Sequence, residues 1–290
     1  MTGRISTFRG LLKQAHGLPW VAPAVGLLAA LSVYPMVFSI KVSLTGQQGG
    51  FSLEHYLRLL TDKFFLISVW QTAMYSLAAL TAEFLLGLTL ALLIDSLTRG
   101  KSIFRAGLLV PMLLPPVVAA VAWRLIYNPQ FGVLNGMLKV AGVDTSHLTW
   151  TSGEGAAMFS VILVDIWEWT PFLFLLLSAG LQAIPQDPIE AARMDGASSW
   201  QILWDVILPL LRPTIALALL LRAMDLMRIF DQIFILTQGG PGFATETTSL
   251  YIYRTAFRFY NFGYAAAMSF VGLLLTTLFA RGLLRFMRVS

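Results

Sequence analysis

Six stretches of this 290-residue chain are apolar over lengths that match the thickness of a bilayer, approximately 18 to 40, 65 to 94, 103 to 126, 156 to 181, 214 to 237 and 262 to 284. A helix needs roughly 20 apolar residues to cross the hydrocarbon core. Because no water is there to bond the backbone, only helices or closed barrels satisfy its N–H and C=O groups. Barrel strands alternate polar and apolar side chains over about ten residues, and a run such as AGLLVPMLLPPVVAAVAW at 106–123 does not. The pattern therefore predicts an all-α integral membrane protein with six transmembrane helices. Composition agrees: 57% of residues are hydrophobic and 12% charged, with a mean hydropathy of +0.73, whereas soluble domains carry about 25% charged residues. The second run is too long for a straight crossing and must tilt or extend past the bilayer. The first exceeds the roughly 7–15-residue apolar core of a cleaved signal peptide, so it is expected to remain as an anchor.

Orientation follows from Lys and Arg, which are retained on the cytoplasmic side in short loops. Arg4, Arg9, Lys13, Arg99, Lys101, Arg105, Arg193, Arg212, Arg281, Arg285 and Arg288 place eleven charges on one side, against six on the other: Lys41, Arg58, Lys63, Lys139, Arg254 and Arg258. Both termini are therefore expected to be cytoplasmic. The net charge of +5 reads as topology and contact with anionic membrane lipid, since no aromatic-basic interleaving marks a nucleic-acid surface. There are no cysteines, and His16, His55 and His147 are scattered, so neither a catalytic group nor a metal site is expected. The longest connections, 41–64, 127–155, 182–213 and 238–261, are too short for a soluble domain. One membrane domain over 1–290 is expected, with a cytoplasmic N-terminal segment at 1–17 and a cytoplasmic loop at 182–213.

That loop has its own local logic. Asp187 is placed to cap a helix with Pro188 in its first position and Glu190 completing a capping box. Gly196 permits a positive φ and a turn. Trp200, Leu203, Trp204 and Ile207 recur at helical spacing beyond it, and Pro209 and Pro213 mark an expected bend into the fifth span. On physics alone, this could equally be an interfacial hairpin lying on lipid head groups. Residues 190–213, however, read EAARMDGASSWQILWDVILPLLRP. Glu190, Ala191 and Ala192, then Gly196, then Leu208-Pro209, resemble the EAA motif of the membrane permeases of binding-protein-dependent ABC importers, with Val206 where that motif usually has Ile. Flanking residues resemble the carbohydrate branch, and within it the maltose-type permeases with a Gly-Gly-Pro loop: Trp167, Trp169, Ala179-Gly180-Leu181-Gln182 and Ile184-Pro185 before the motif, then Phe230-Asp231, Thr237, Gly239-Gly240-Pro241, Thr245, Tyr253 and Gly263-Tyr264-Ala265 after it.

The resemblance implies a type I ABC importer permease fold in a bacterial or archaeal cytoplasmic membrane, paired with a second homologous permease in a heterodimer. It also implies two ATP-binding subunits and an extracellular solute-binding protein that delivers a sugar. Glu190, Ala191, Ala192, Asp195, Gly196, Ala197, Leu208 and Pro209 would then couple the spans to the ATPase. The chain has no GxxxxGK[ST] phosphate loop, so it is expected to be no enzyme and to bind no cofactor, ATP and Mg being used by the partner ATPase. Some relatives carry a large extracellular insertion. No outer loop here is long enough for one.

Charges inside spans are costly and usually meet a partner or a watery cavity. Asp165 and Glu168 lie one turn apart beside Trp167 and Trp169, and Arg222, Asp225, Arg228 and Asp231 follow every third residue. On one helix, a step of three retreats by about 60°, so those four would sweep half the circumference, with Asp225 near mid-bilayer and Asp231 further out. They are expected to neutralise one another, Arg222 with Asp225 and Arg228 with Asp231, or to pair with Glu168 and Glu83 on neighbouring spans, or else to line part of a sugar pathway. Candidates for the pathway are Asp165, Trp167, Glu168, Trp169, Asp225, Arg228 and Asp231. Alternative cargoes are a polyol or glycerol phosphate, for which Arg124, Arg222 and Arg228 would tolerate an anion. A passive channel and a membrane enzyme using Asp165 and Glu168 are more remote, since no nucleophile, metal cluster or phosphate cradle accompanies those carboxylates.

Overall fold

A computed structural model describes residues 18–46, 49–97, 99–145 and 148–286. The expectations for Arg4, Arg9, Lys13, His16, His147, Arg288 and the segment 1–17 lie outside the described residues. Among those described there is one isolated bridge, Thr45 to Phe51, and otherwise helix and turn. The helices are α1 (Leu18–Ser43), α2 (Glu54–Leu59), α3 (Lys63–Ser96), α4 (Lys101–Leu109), α5 (Pro116–Ile126), α6 (Val133–Val140), α7 (Glu154–Gln182), α8 (Asp187–Met194), α9 (Ser199–Leu226), α10 (Asp231–Leu236), α11 (Thr248–Tyr253) and α12 (Phe262–Phe286).

Five of these, α1, α3, α7, α9 and α12, are long and apolar enough to cross a membrane, and α5 is a shorter apolar helix. The 103 to 126 window is therefore not one straight helix. Proline has no N–H and pushes its predecessor out of the α region. Accordingly, α4 stops before a 3-10 turn at Pro111–Leu113, and Leu114 and Pro115 are extended (ψ 137° and 139°) before α5 begins at Pro116. The 214 to 237 window also divides: α9 starts earlier than expected, at Ser199, ends at Leu226, and is separated from α10 by four residues. Irregular backbone at membrane depth is tolerated where it is buried in protein or lines a cavity, and Arg228, Ile229 and Phe230 of this break line one.

The bundle is built around α3 packed along α7, with α9 against both, α10 against α5, and α1 against α12. Two glycines allow close approaches between the long spans. A Cβ at Gly87 of α3 would lie 3.0 Å from Leu173 Cβ, and one at Gly180 of α7 would lie 2.7 Å from Leu211 Cδ1 and Thr214 Cγ2. Small residues let membrane helices approach in this way. The core falls into three layers along the helices. One joins Leu59, Phe65, Tyr264 and Met268; a central one joins Tyr75, Leu80, Val161, Val164, Leu226 and Ile233; the third joins Ile94, Phe174, Leu177, Leu181, Ile189, Ile202 and Leu211 at the end that carries α8.

Candidate functional site

The 182–213 loop folds as a short helix, a glycine turn and the start of a span. The expected capping box at Asp187 does not form. Gln186 already has helical angles (φ −76°, ψ −26°), so Asp187 is inside the first turn and makes no cap. The box lies one element later, where the Gln201 N–H donates to Ser198 Oγ at 3.3 Å and the Ser198 N–H donates to Gln201 Oε1 at 2.8 Å. At its other end, α8 closes as a Schellman motif. Gly196 sits at φ +80°, its N–H donates to Arg193 O at 3.1 Å, and the Ala197 N–H donates to Ala192 O at 3.0 Å. The prolines do not end the next helix, as a π-helical turn at Ile202–Ile207 precedes Pro209 and the helix runs on through Pro213. A widened turn re-routes the backbone bonds where proline gives no N–H.

Of the motif residues, Glu190, Ala191, Asp195 and Gly196 are exposed, while Ala192, Ala197, Leu208 and Pro209 are half-buried. Met194 projects almost fully, at 88% exposure, whereas Ile189 is buried among Leu181, Ile184, Ile202 and Leu211. Val206, the departure from the motif, packs on that same cluster. The helix thus offers one open face of mixed charge and small side chains, and pins its other face to the ends of α7 and α9.

Halfway along the bundle lies a second polar centre. Arg222 of α9 donates from Nε to Glu83 Oε2 at 2.7 Å, from Nη2 to Glu83 Oε1 at 3.0 Å, and from Nη2 to Asp165 Oδ2 at 2.5 Å. All three side chains are buried, so α3, α7 and α9 share one ion cluster. Trp169 covers the guanidinium, its ring centroid 4.9 Å from Cζ. Next to this cluster, Gln232 donates to Glu168 Oε2 at 2.7 Å and accepts from the Tyr75 hydroxyl at 3.4 Å.

A cavity of about 280 Å³ opens beside these groups, lined by Trp169, Arg222, Asp225, Arg228, Asp231, Gln232 and Pro116 among others. Arg228 donates to Asp225 Oδ1 at 3.1 Å and to Met224 O at 3.2 Å, with both charged side chains exposed. The expected candidates therefore divide. Trp169, Asp225, Arg228 and Asp231 meet at the cavity, Asp165 and Glu168 lie buried behind it, and Trp167 turns away to stack edge-on with Trp123 at 5.6 Å. The expected pairs Arg222–Asp225 and Arg228–Asp231 do not form, because the helix ends at Leu226 and Arg222 faces the bundle. Sequence reasoning missed Gln232 and Tyr75. An amide beside Asp231 in an apolar stretch was the available signal for the first; nothing singled out the second.

At the end opposite α8, the Gly-Gly-Pro turn is held from within. Thr245 Oγ1 lies 2.6 Å from Thr237 Oγ1 and donates to Gly240 O at 2.9 Å, and Arg254 donates to Glu246 Oε2 at 2.6 Å and to Gln238 O. Gly239 sits at φ +82° with the Glu246 carboxylate where a Cβ would be. Burial raises the Glu246 carboxyl to about 7 against the opposing pull of Arg254. Nearby, Asp62 caps α3 and accepts from the Tyr251 and Tyr264 hydroxyls at 2.9 and 2.5 Å.

Residues 83–288 match the family described as the binding-protein-dependent transport system inner membrane component. The chain is 42% identical over 211 residues to the trehalose/maltose transport system permease protein MalF of Thermococcus litoralis, covering 73% of this chain and 70% of that one. It is 35% identical over 256 residues to the trehalose transport system permease protein SugA of Mycobacterium tuberculosis, covering 86% and 81%. Its fold is similar to a chain of a bacterial ABC transporter involved in the import of the acidic polysaccharide alginate, with a TM-score of 0.85 at 20% identity over 97% of this chain and 98% of that one.

Proposed function

The chain belongs to the family of binding-protein-dependent transport system inner membrane components, a multi-pass permease subunit of an ABC transporter, and from that premise we propose that it carries a sugar inward across the cytoplasmic membrane of a bacterium or archaeon. One observation carries the reading. The same chain holds an exposed EAA helix keyed by Ile189 into the ends of two spans, and a polar cavity roofed by Trp169 where one of those spans breaks. Aromatic faces suit pyranose rings, and carboxylates and amides suit hydroxyls. Relatives whose names specify a cargo are named for trehalose or maltose and, in one case, for sulfoquinovosyl glycerol, which supports a sugar or glycoside over other solutes.

In this reading both termini and α8 are cytoplasmic. A second permease completes the pathway, two ATP-binding subunits use ATP and Mg, and α8 docks in a groove on one of them. Glu190 makes polar contacts there, Ala191 and Ala192 keep the helix face low, and the turn of Asp195, Gly196 and Ala197 together with Leu208-Pro209 fixes its angle to α9. An external solute-binding protein delivers the sugar to the Gly-Gly-Pro end. ATPase closure then rocks the spans between inward-open and outward-open states, as ligand-driven population shifts do.

The test is purification of the tagged chain from native membranes, followed by uptake in reconstituted vesicles. Recovery of an ATPase and a second permease, with sugar uptake that needs ATP, is the expected result. The chain coming alone, or solute entering without ATP, would return the reading to a channel. Asp225→Asn is expected to lower sugar uptake at least about tenfold while the complex still assembles. Loss of assembly instead would make the Asp225–Arg228 pair structural.

A further inference from the structure

The charges around the cavity do not balance. Its guanidiniums are Arg222 and Arg228. Arg222 is clasped by both Glu83 and Asp165, and Arg228 is held by Asp225. Asp231 borders the cavity at the start of α10 without a hydrogen-bond or ion-pair partner among the described residues. Glu168, behind Gln232, keeps its Oε1 unpartnered and buried. Counting the two that line the cavity and the three buried behind it, five carboxylates thus accompany two guanidiniums. Arg124, the third cation that could welcome an anion, is exposed on α5 and does not line the cavity.

Resting on the reading of this cavity as the sugar pathway, we propose that it admits uncharged polyhydroxylated solutes and rejects anionic ones, and that Asp231 sets this preference. Each arginine here already has a carboxylate partner, Arg222 in Glu83 and Asp165 and Arg228 in Asp225, so no positive charge is left over to compensate an incoming carboxylate or phosphate. The charge of Arg222 is already matched twice over by Glu83 and Asp165, so its guanidinium can donate to a solute without offering it a net positive field. Field lines in a cleft with low-dielectric walls are focused, so an unneutralised Asp231 at the rim acts on a solute more strongly than a surface carboxylate would. The neutral sugar loses nothing by this arrangement. Its hydroxyls donate to Asp231 and Asp225, and its ring faces Trp169. A fold shared with a transporter of an acidic polysaccharide does not carry over the sign of the cargo, because these side chains, and not the fold, set the local potential.

The experiment is direct binding to the purified permease–ATPase complex by calorimetry at low salt, without the solute-binding protein, whose own selectivity would otherwise mask that of the cavity. The probes are trehalose, its glucuronic acid analogue and trehalose 6-phosphate. Trehalose is expected to bind at least about tenfold more tightly than either anion. Asp231→Asn is expected to shrink that ratio at least about threefold by tightening the binding of both anions, and Asp225→Asn, which frees Arg228, to tighten them further. Equal binding of all three probes, or a ratio unmoved by Asp231→Asn, overturns the charge inference and leaves the sugar pathway standing. Failure of every probe to bind overturns the pathway reading, and this one with it.

Discussion

Arg222 is the side chain on which most of the central bundle depends. A guanidinium presents its donors in a rigid fork, and here that fork is divided between two carboxylates on different helices. Breaking a buried ion pair by removing one partner costs roughly 3–5 kcal/mol. Arg222→Ala is therefore expected to abolish recovery of a monodisperse complex after detergent extraction, and Arg222→Lys, which retains the charge but not the fork, to recover only part of it. Normal recovery of the alanine variant by size-exclusion chromatography would show that the cluster is dispensable. The sequence made Glu83 a partner by charge alone. It could not pair Asp165 with Arg222, since that depends on the rotation of α7 and α9 about their axes. Hydropathy fixes that a helix crosses but leaves its rotation to packing, here to Gly180 against Leu211 and Thr214.

Among the elements, the breaks carry more information than the spans. Pro111, Pro115 and Pro116 were visible inside the third apolar window, yet a window average counts proline as merely weakly polar and passes over its missing N–H. The fifth window hid a break with no proline at all, so only packing shows that α10 turns away and brings Asp231 and Gln232 back to the cavity. The glycine turn of the 182–213 loop was legible because positive φ is a local property. The cap before it was not, because Gln186 had already entered the helix. The Gly-Gly-Pro loop offers a test at this scale. Glu246 titrates near 7 in the folded loop and near 4.3 in an unfolded chain, so the folded loop holds the proton more tightly. That contribution is complete below about pH 4.3 and is lost as pH rises through 7, on the order of 3 kcal/mol in all. Hydrogen exchange across 238–247 is expected to quicken between pH 5 and pH 8 beyond its intrinsic rate, and Glu246→Gln to flatten that excess. An excess unchanged by the substitution would assign it to another group.

In the whole molecule, the α8 end and the cavity are separated along α9 by fourteen residues, from Leu208 to Arg222, about 21 Å at the rise of an α-helix. A displacement at one must reach the other through something stiff. Protein interiors pack as densely as organic crystals and transmit strain, and the layer formed by Ile189, Leu181, Ile202 and Leu211 joins α8 to the ends of α7 and α9, which hold Asp165 and Glu168 midway along α7 and Arg222 towards the far end of α9. Ile189 is the only side chain of α8 that is buried. Truncating a buried isoleucine to alanine costs about 2–5 kcal/mol and leaves a void, here between α8 and the spans and away from the exposed face proposed to meet the ATPase. Ile189→Ala is therefore expected to leave the subunits associated but to raise several-fold the number of ATP molecules hydrolysed per sugar imported, measured as the ratio of phosphate release to uptake in proteoliposomes. An unchanged ratio would mean that motion reaches the cavity by another route, such as the direct continuity of α9 through Pro209.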